Sequence, residues 1–311
     1  EPYEAEFGKS KALVRGVCAE FKSRGYNIGA FDAATASDVL SGSGLSSSAA
    51  FEVLLGTILN HLFNDGKVSD VEIAQIAQAA ENKFFGKPCG LLDQMTSSVG
   101  SFVEIDFADP VNPVIEKLDF DFASCGYALC IVDTGGSHSD LTDEYAAVRK
   151  EMESVAEYLG KSVLREVDED EFMKNIADIR SSCGDRAVLR AMHFYGDNAR
   201  VEKQAAALKA GDFETFKKYI IESGRSSYMY NQNVYSCKKA SEQPVSLALS
   251  LSEKLLDGCG AWRVHGGGFA GTIQAFVPLN KLDEYKDLME KVFGSGSCYI
   301  LSVRPVGGVE L

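Results

Sequence analysis

The chain has 311 residues, 45 % hydrophobic and 24 % charged, an ordinary makeup for a globular protein with room for two domains. A net charge of −14 and a pI near 4.8, with no basic stripe, argue against nucleic acid as a partner. No apolar run approaches the roughly 18 residues that span a bilayer, and the sequence opens on Glu1-Pro2-Tyr3-Glu4, without an initiator Met and without the pattern of a signal peptide.

Residues 9–24 carry Leu13, Val14, Val17 and Phe21 at helical spacing. A short extended piece, 27–39, leads into Ser41-Gly-Ser-Gly-Leu-Ser-Ser-Ser-Ala49, and then Ala49, Ala50, Val53, Leu54, Ile58 and Leu62 continue as a helix to about Phe63. Gly42 and Gly44 let the backbone bend sharply and approach a ligand. A helix N-terminus adds free N–H donors and the positive end of a dipole, so the junction suits an anion such as phosphate. The hydroxyls of Ser46, Ser47 and Ser48 add donors. The plain alternative is a helix with a flexible Gly/Ser lead-in and serine caps. No Lys follows, so the loop is not a Walker A motif.

After the turn Asn64-Asp65-Gly66, Ser69 and Glu72 have capping-box spacing and open a second helix that ends near Phe85 and Gly86. Glu81 lies at its end, where the helix dipole disfavours an acid. Asp93 and Gln94 sit among Leu91, Leu92 and Met95, just past Pro88-Cys89-Gly90. An acid in that setting is either an exposed loop residue or a carboxylate held for proton or metal work.

Residues 102–107, 114–120 and 127–133 read as strands, followed by the glycine-containing loop Asp133 to Ser139. Residues 140–230 read as helical, broken near Gly160, Gly184, Gly196 and Gly211; the helix starting near Thr142 carries Tyr145, Val148, Met152 and Val155. A helix over 244–256 follows. Two strand-like runs then flank Gly266, Gly267, Gly268 and Gly271, more glycine than a hairpin needs, which points to close approach by another backbone or a ligand. A helix over 282–292, a strand over 299–303 and a loop tail close the chain. The eight cysteines lack C-x-x-C spacing and the four histidines lack metal-ligand spacing, a pattern of reduced thiols in the cytoplasm without structural zinc.

The serine-rich loop, the segment around Asp93 and the C-terminal glycines, in that order, resemble the galactokinase–homoserine kinase–mevalonate kinase–phosphomevalonate kinase superfamily. Pro88-Cys89-Gly90-Leu91-Leu92-Asp93-Gln94, with Glu81 twelve residues before Asp93, is similar to the galactokinase family in particular. So is the run His138-Ser139, Glu144-Tyr145 and Arg149. The resemblance spans nearly the whole chain from about Lys11.

That resemblance implies a two-lobed α/β (α+β) fold with mixed sheets and an active site in the inter-lobe cleft, with lobes at 1–139 and 140–311. It implies ATP-dependent phosphorylation of galactose at the 1-hydroxyl by a cytoplasmic monomer using Mg²⁺. Gly42, Gly44, Leu45, Ser46, Ser47, Ser48 and Ala49 would bind ATP, Ser47 and Glu81 the metal, and Gly90, Asp93, Tyr145 and Gly267 the sugar. Asp93 would be the catalytic base. The family's N-terminal Gly-Glu-His-x-Asp segment is absent, so the chain is expected to be a fragment lacking its first portion. Ala270 and Ser137 also depart from the family pattern. Two other classes fit parts of this pattern: a sugar- and ATP-binding sensor without turnover, which the complete serine loop disfavours, and a sister kinase for another substrate, which Cys89 to Gln94 and Tyr145 disfavour.

Overall fold

The computed structural model describes residues 2–39, 46–87, 89–109, 112–136, 141–269 and 271–311, with only the backbone of Thr142. The chain divides into two compact units. One comprises Glu1–Ile105, Ile115–Asp119 and Val303–Leu311; the other comprises Asp106–Val114 and Phe120–Ser302. Compactness thus groups the strand at 127–133 with the second unit, whereas the sequence reading draws its lobe boundary after residue 139.

The first unit is built from four helices, α1 (Ser10–Ser23), α2 (Ser47–Asn64), α3 (Asp70–Ala80) and α4 (Leu92–Val99), and a two-stranded sheet, β1 (Phe102–Asp106) and β2 (Val114–Leu118). Val17 and Phe21 of α1, Val53, Leu55 and Leu59 of α2, and Ile73, Ile76, Ala77 and Ala80 of α3 form its main core. Small residues set the crossing: a Cβ on Gly16 would lie 2.8 Å from that of Ala80. α3 starts as its sequence demands, with Ser69 Oγ accepting from Glu72 N at 3.3 Å.

The apolar residues that mark α2 as a helix do not all face inward. Leu54 and Leu62 are exposed, and the buried stripe runs through Ala49, Glu52, Val53, Gly56 and Asn60. The stripe that meets α1 and α3 includes two polar residues, so hydropathy alone rotates the helix wrongly. The tail is irregular, as expected, yet seated: Ser101 N donates to Arg304 O at 2.7 Å, and a Cβ on Gly307 would lie 1.8 Å from Ser98 O.

The second unit contains β3 (Tyr127–Asp133), then α5 (Thr142–Tyr158), α6 (Glu169–Lys174), α7 (Ile176–Cys183), α8 (Asp185–Lys209), α9 (Phe213–Ser226) and α10 (Pro244–Leu256). β4 (Ala261–Val264), β5 (Thr272–Pro278), α11 (Leu282–Phe293) and β6 (Cys298–Leu301) complete it. The sheet order is β4-β5-β3-β6, with every neighbouring pair antiparallel. Its buried face, including Cys130, Val132, Ile273, Ala275 and Val277, packs on α10 and α11 through Leu256, Tyr285 and Met289. Gly196 does not break the helical run: α8 passes through it. A helix that long is held by tertiary packing, which outweighs the roughly 1 kcal/mol propensity cost of one glycine.

Candidate active site

Ser46 caps α2 with φ 57°, in the left-handed region that non-glycine residues seldom adopt. Ser47 is the first helical residue, Ser48 the second, and Ala49 is buried. Gly42, Gly44 and Leu45 of the same loop lie outside the described residues, as do Ser137, His138, Ser139, Pro88 and Ala270.

Behind the start of α2 is a buried polar cluster. Glu81, 2 % exposed, opens a π-turn over Glu81–Phe85 that continues α3 and ends at Gly86 in the left-handed region. Its Oε1 accepts from Ser48 Oγ at 2.9 Å and from Lys87 Nζ at 3.1 Å. Its Oε2 accepts from Gln94 Nε2 at 2.8 Å, and the same amide group reaches Glu52 Oε2 at 3.2 Å. Gln94 therefore bridges two buried carboxyls. Burial and the neighbouring Glu81 charge push the Glu52 carboxyl up to about 8, so Glu52 carries a proton at neutral pH. Burial, reinforced by the Glu81 charge, likewise pushes the Cys89 thiol up to about 12. Glu52 Oε1 and Gln94 Oε1 are buried without a hydrogen-bond partner among the described residues.

Asp93 stands in the first turn of α4, exposed, in a helix rather than a loop. The segment before it is tied to the π-turn: Cys89 N donates to Asn82 Oδ1 at 2.7 Å, and Gln78 Nε2 donates to Cys89 O at 3.2 Å. Gly90 is exposed, with open space where a Cβ would point. Gln94 faces the buried cluster while Asp93, one residue earlier, faces outward, as helical geometry requires of adjacent positions.

In the second unit, Tyr145 on α5 and the turn between β4 and β5 meet. Tyr145 Oη donates to Gly268 O at 2.8 Å, and a Cβ on Gly267 would lie 2.7 Å from the Tyr145 ring. Burial raises the Tyr145 hydroxyl above its ordinary value, keeping it a donor. Tyr145 also packs edge-on against Phe269 at 5.3 Å between centroids.

The structure thus joins Ser48 to Glu81, and Tyr145 to Gly267. The expected metal pair was Ser47 with Glu81, and the serine that bonds Glu81 is Ser48. Sequence reasoning missed Glu52 and Lys87. Glu52 had a signal: it is an acid three residues after Ala49, on the buried stripe of α2.

Comparison with known proteins decides the family. Residues 12–101 match the GHMP kinases N terminal domain. The galactokinase of Actinobacillus pleuropneumoniae is 32 % identical over 297 residues, covering 93 % of this chain and 72 % of that protein. The galactokinase of Thermotoga petrophila is 32 % identical over 282 residues, covering 91 % and 74 %. The chain belongs to the galactokinase family. It is therefore a kinase, a transferase that takes ATP as co-substrate. A crystal structure of Lactococcus lactis galactokinase complexed with galactose shares the galactokinase fold with it, at TM-score 0.71 and 23 % identity, over 96 % of this chain and 76 % of that one. No helix among the described residues is long and apolar enough to cross a membrane.

Proposed function

We propose that this galactokinase-family chain transfers the γ-phosphoryl group of ATP to the 1-hydroxyl of D-galactose, with Asp93 as the base that accepts the hydroxyl proton. The observation that carries the assignment is the local arrangement of the Glu81–Gln94 segment. Buried Glu81 and Gln94 lock the π-turn and α4 together, while Asp93 is left exposed in the first turn of α4. Phosphoryl transfer asks the protein for positioning, for charge compensation and for an acceptor-side base. An exposed carboxylate on an immobilised helix meets the last requirement.

Gly42, Gly44, Leu45 and Ser46 to Ala49 are assigned to the ATP phosphates. Glu81 and Ser47 are assigned to Mg²⁺, with Ser48 holding Glu81 in place. Hydroxyl and carboxylate oxygens suit a hard cation, and Mg²⁺ needs only one or two protein carboxylates beside phosphate and water. The ion, when bound, neutralises charge on the phosphates. Lys87 reaches Glu81 from a largely exposed position, so it can yield to a dication. Tyr145, Gly90 and Gly267 are assigned to the sugar. Division into lobes at 1–139 and 140–311, a cytoplasmic location and a monomeric state complete the proposal; sedimentation would test the last.

A coupled ADP-release assay with galactose, glucose, homoserine and mevalonate tests the substrate. Release with galactose well above the other three supports the assignment. Release with homoserine or mevalonate and none with galactose would overturn it.

A further inference from the structure

The turn that carries Gly267 is held from behind by a segment with no role in the assignments above. α9 runs into a π-turn over Ser227–Asn231, which ends at Gln232 with φ 55°. Gln232 N donates to Ser227 O at 2.8 Å. The π-turn is anchored by Arg190 of α8, which is fully buried: its Nε donates to Asn231 O at 3.0 Å, and its Nη1 pairs with Glu151 at 2.8 Å.

Asn233 follows, 5 % exposed. Three contacts join it to the glycine turn. Its Nδ2 donates to Gly267 O at 3.2 Å, its carbonyl accepts from Phe269 N at 2.5 Å, and a Cβ on Gly268 would lie 1.8 Å from that carbonyl oxygen. Gly268 has φ +81°, so both its conformation and its clearance require glycine. Tyr145 grips the same residue through Gly268 O. The asparagine is used for its donor: Asn233 Oδ1 is buried with no hydrogen-bond partner among the described residues, while Nδ2 is bonded. Burying an amide with one orphan atom carries a desolvation cost, offset only if the other half has a task.

We infer that Asn233 is a positioning residue for the sugar: it sets the backbone directions of Gly267 to Phe269, and through them the wall that galactose meets. This rests on the proposed assignment of Gly267 to the substrate. Asn233 acts through Gly267 and has no direct contact with substrate in this scheme.

The test uses Asn233→Asp, which keeps size and removes the donor, beside Asn233→Ala. Both should raise KM for galactose about tenfold while KM for ATP changes by less than about twofold and kcat is largely kept. Unchanged KM for galactose, or equal rises in both KM values alongside a falling Tm, would overturn the inference and leave Asn233 a structural residue. Amide hydrogen exchange over residues 264–269 gives a second readout independent of turnover. Exchange there should be about tenfold faster in the variants, with the rest of the unit unchanged; unaltered exchange would also overturn it. If the wild-type protein releases no ADP with galactose, the substrate assignment fails on that result alone. The exchange data then decide whether Asn233 shapes the turn.

Discussion

Each unit contains a π-turn that ends in a left-handed residue, and the two are used in opposite ways. In the first unit, Glu81–Phe85 ends at Gly86 and presents a side chain, the Glu81 carboxylate, to Ser48, Lys87 and Gln94. In the second, Ser227–Asn231 ends at Gln232 and leads to a backbone carbonyl, that of Asn233, under the glycine turn. π-turns place one extra residue in a helix and recur at functional sites. Here one gathers buried charged and polar side chains, and the other packs main chain against side chains. The first kind should be sensitive to charge and tolerant of shape. The second should be the reverse.

The sharpest break of that contrast is Gly268→Ala. With φ +81° and 1.8 Å of clearance to Asn233 O, one methyl should cost about 3–5 kcal/mol, or reshape the turn. Thermal unfolding reads this directly, and a loss below about 1 kcal/mol would show that the turn is pliable. Glu81→Gln probes the other side. It keeps the shape and a partner for Ser48 but removes the charge, so folding should persist while the Mg²⁺ concentration for half-maximal activity rises at least about tenfold. An unchanged Mg²⁺ titration would remove Glu81 from the metal site.

Glu52 sharpens the contrast through pH. Its carboxyl titrates near 8 in the fold against about 4.5 in the unfolded chain, so the folded state binds more protons between those values. Stability therefore falls as pH rises from about 5 to 8, by on the order of 2–4 kcal/mol for a group buried this fully. Glu52→Gln should abolish that slope and melt near the wild-type temperature at pH 5 but above it at pH 8. Parallel pH profiles for the two proteins would refute the buried neutral carboxyl. The smallest effect is expected at Gly196→Ala in α8. The nearest atoms to its added Cβ belong to the Arg200 guanidinium, at 3.3 Å, an end of a side chain that can give by a few tenths of an ångström, so helix propensity should prevail and stability rise by about 0.5–1 kcal/mol. A loss there, read by chemical denaturation, would mark a tighter contact than this one.

Much of the fold was legible in the chain. Periodicity located α1 and α3, whose buried residues form one apolar face each, and apolar runs located β3 and β5, which are buried on both faces. It failed where burial is polar. Glu52 and Asn60 lie on the inner stripe of α2, while Leu54 and Leu62 of the apolar run are exposed, so hydropathy does not mark its buried face. It also failed at Gly196, since a local breaker cannot reveal the neighbouring helices that hold α8. Within the candidate site, Glu81 stood out as an acid at a helix end and Gly267 by glycine density. The Ser48–Glu81 hydrogen bond was not legible, because the angular start of α2 depends on a backbone twist at Ser46 that carries no residue-type signal. Asn233 was silent for a similar reason: most of what it supplies is a carbonyl, which every residue has.

The most direct test of the central assignment is phosphorus NMR of ATP and galactose with the wild-type protein and with Asp93→Asn. The wild-type should build up a sugar 1-phosphate signal as γ-phosphate is lost, and Asp93→Asn should slow it by about 10²–10⁴-fold while ATP still binds. Near-normal turnover by Asp93→Asn would contradict Asp93 as the base, and phosphate appearing at another hydroxyl would contradict the reaction itself.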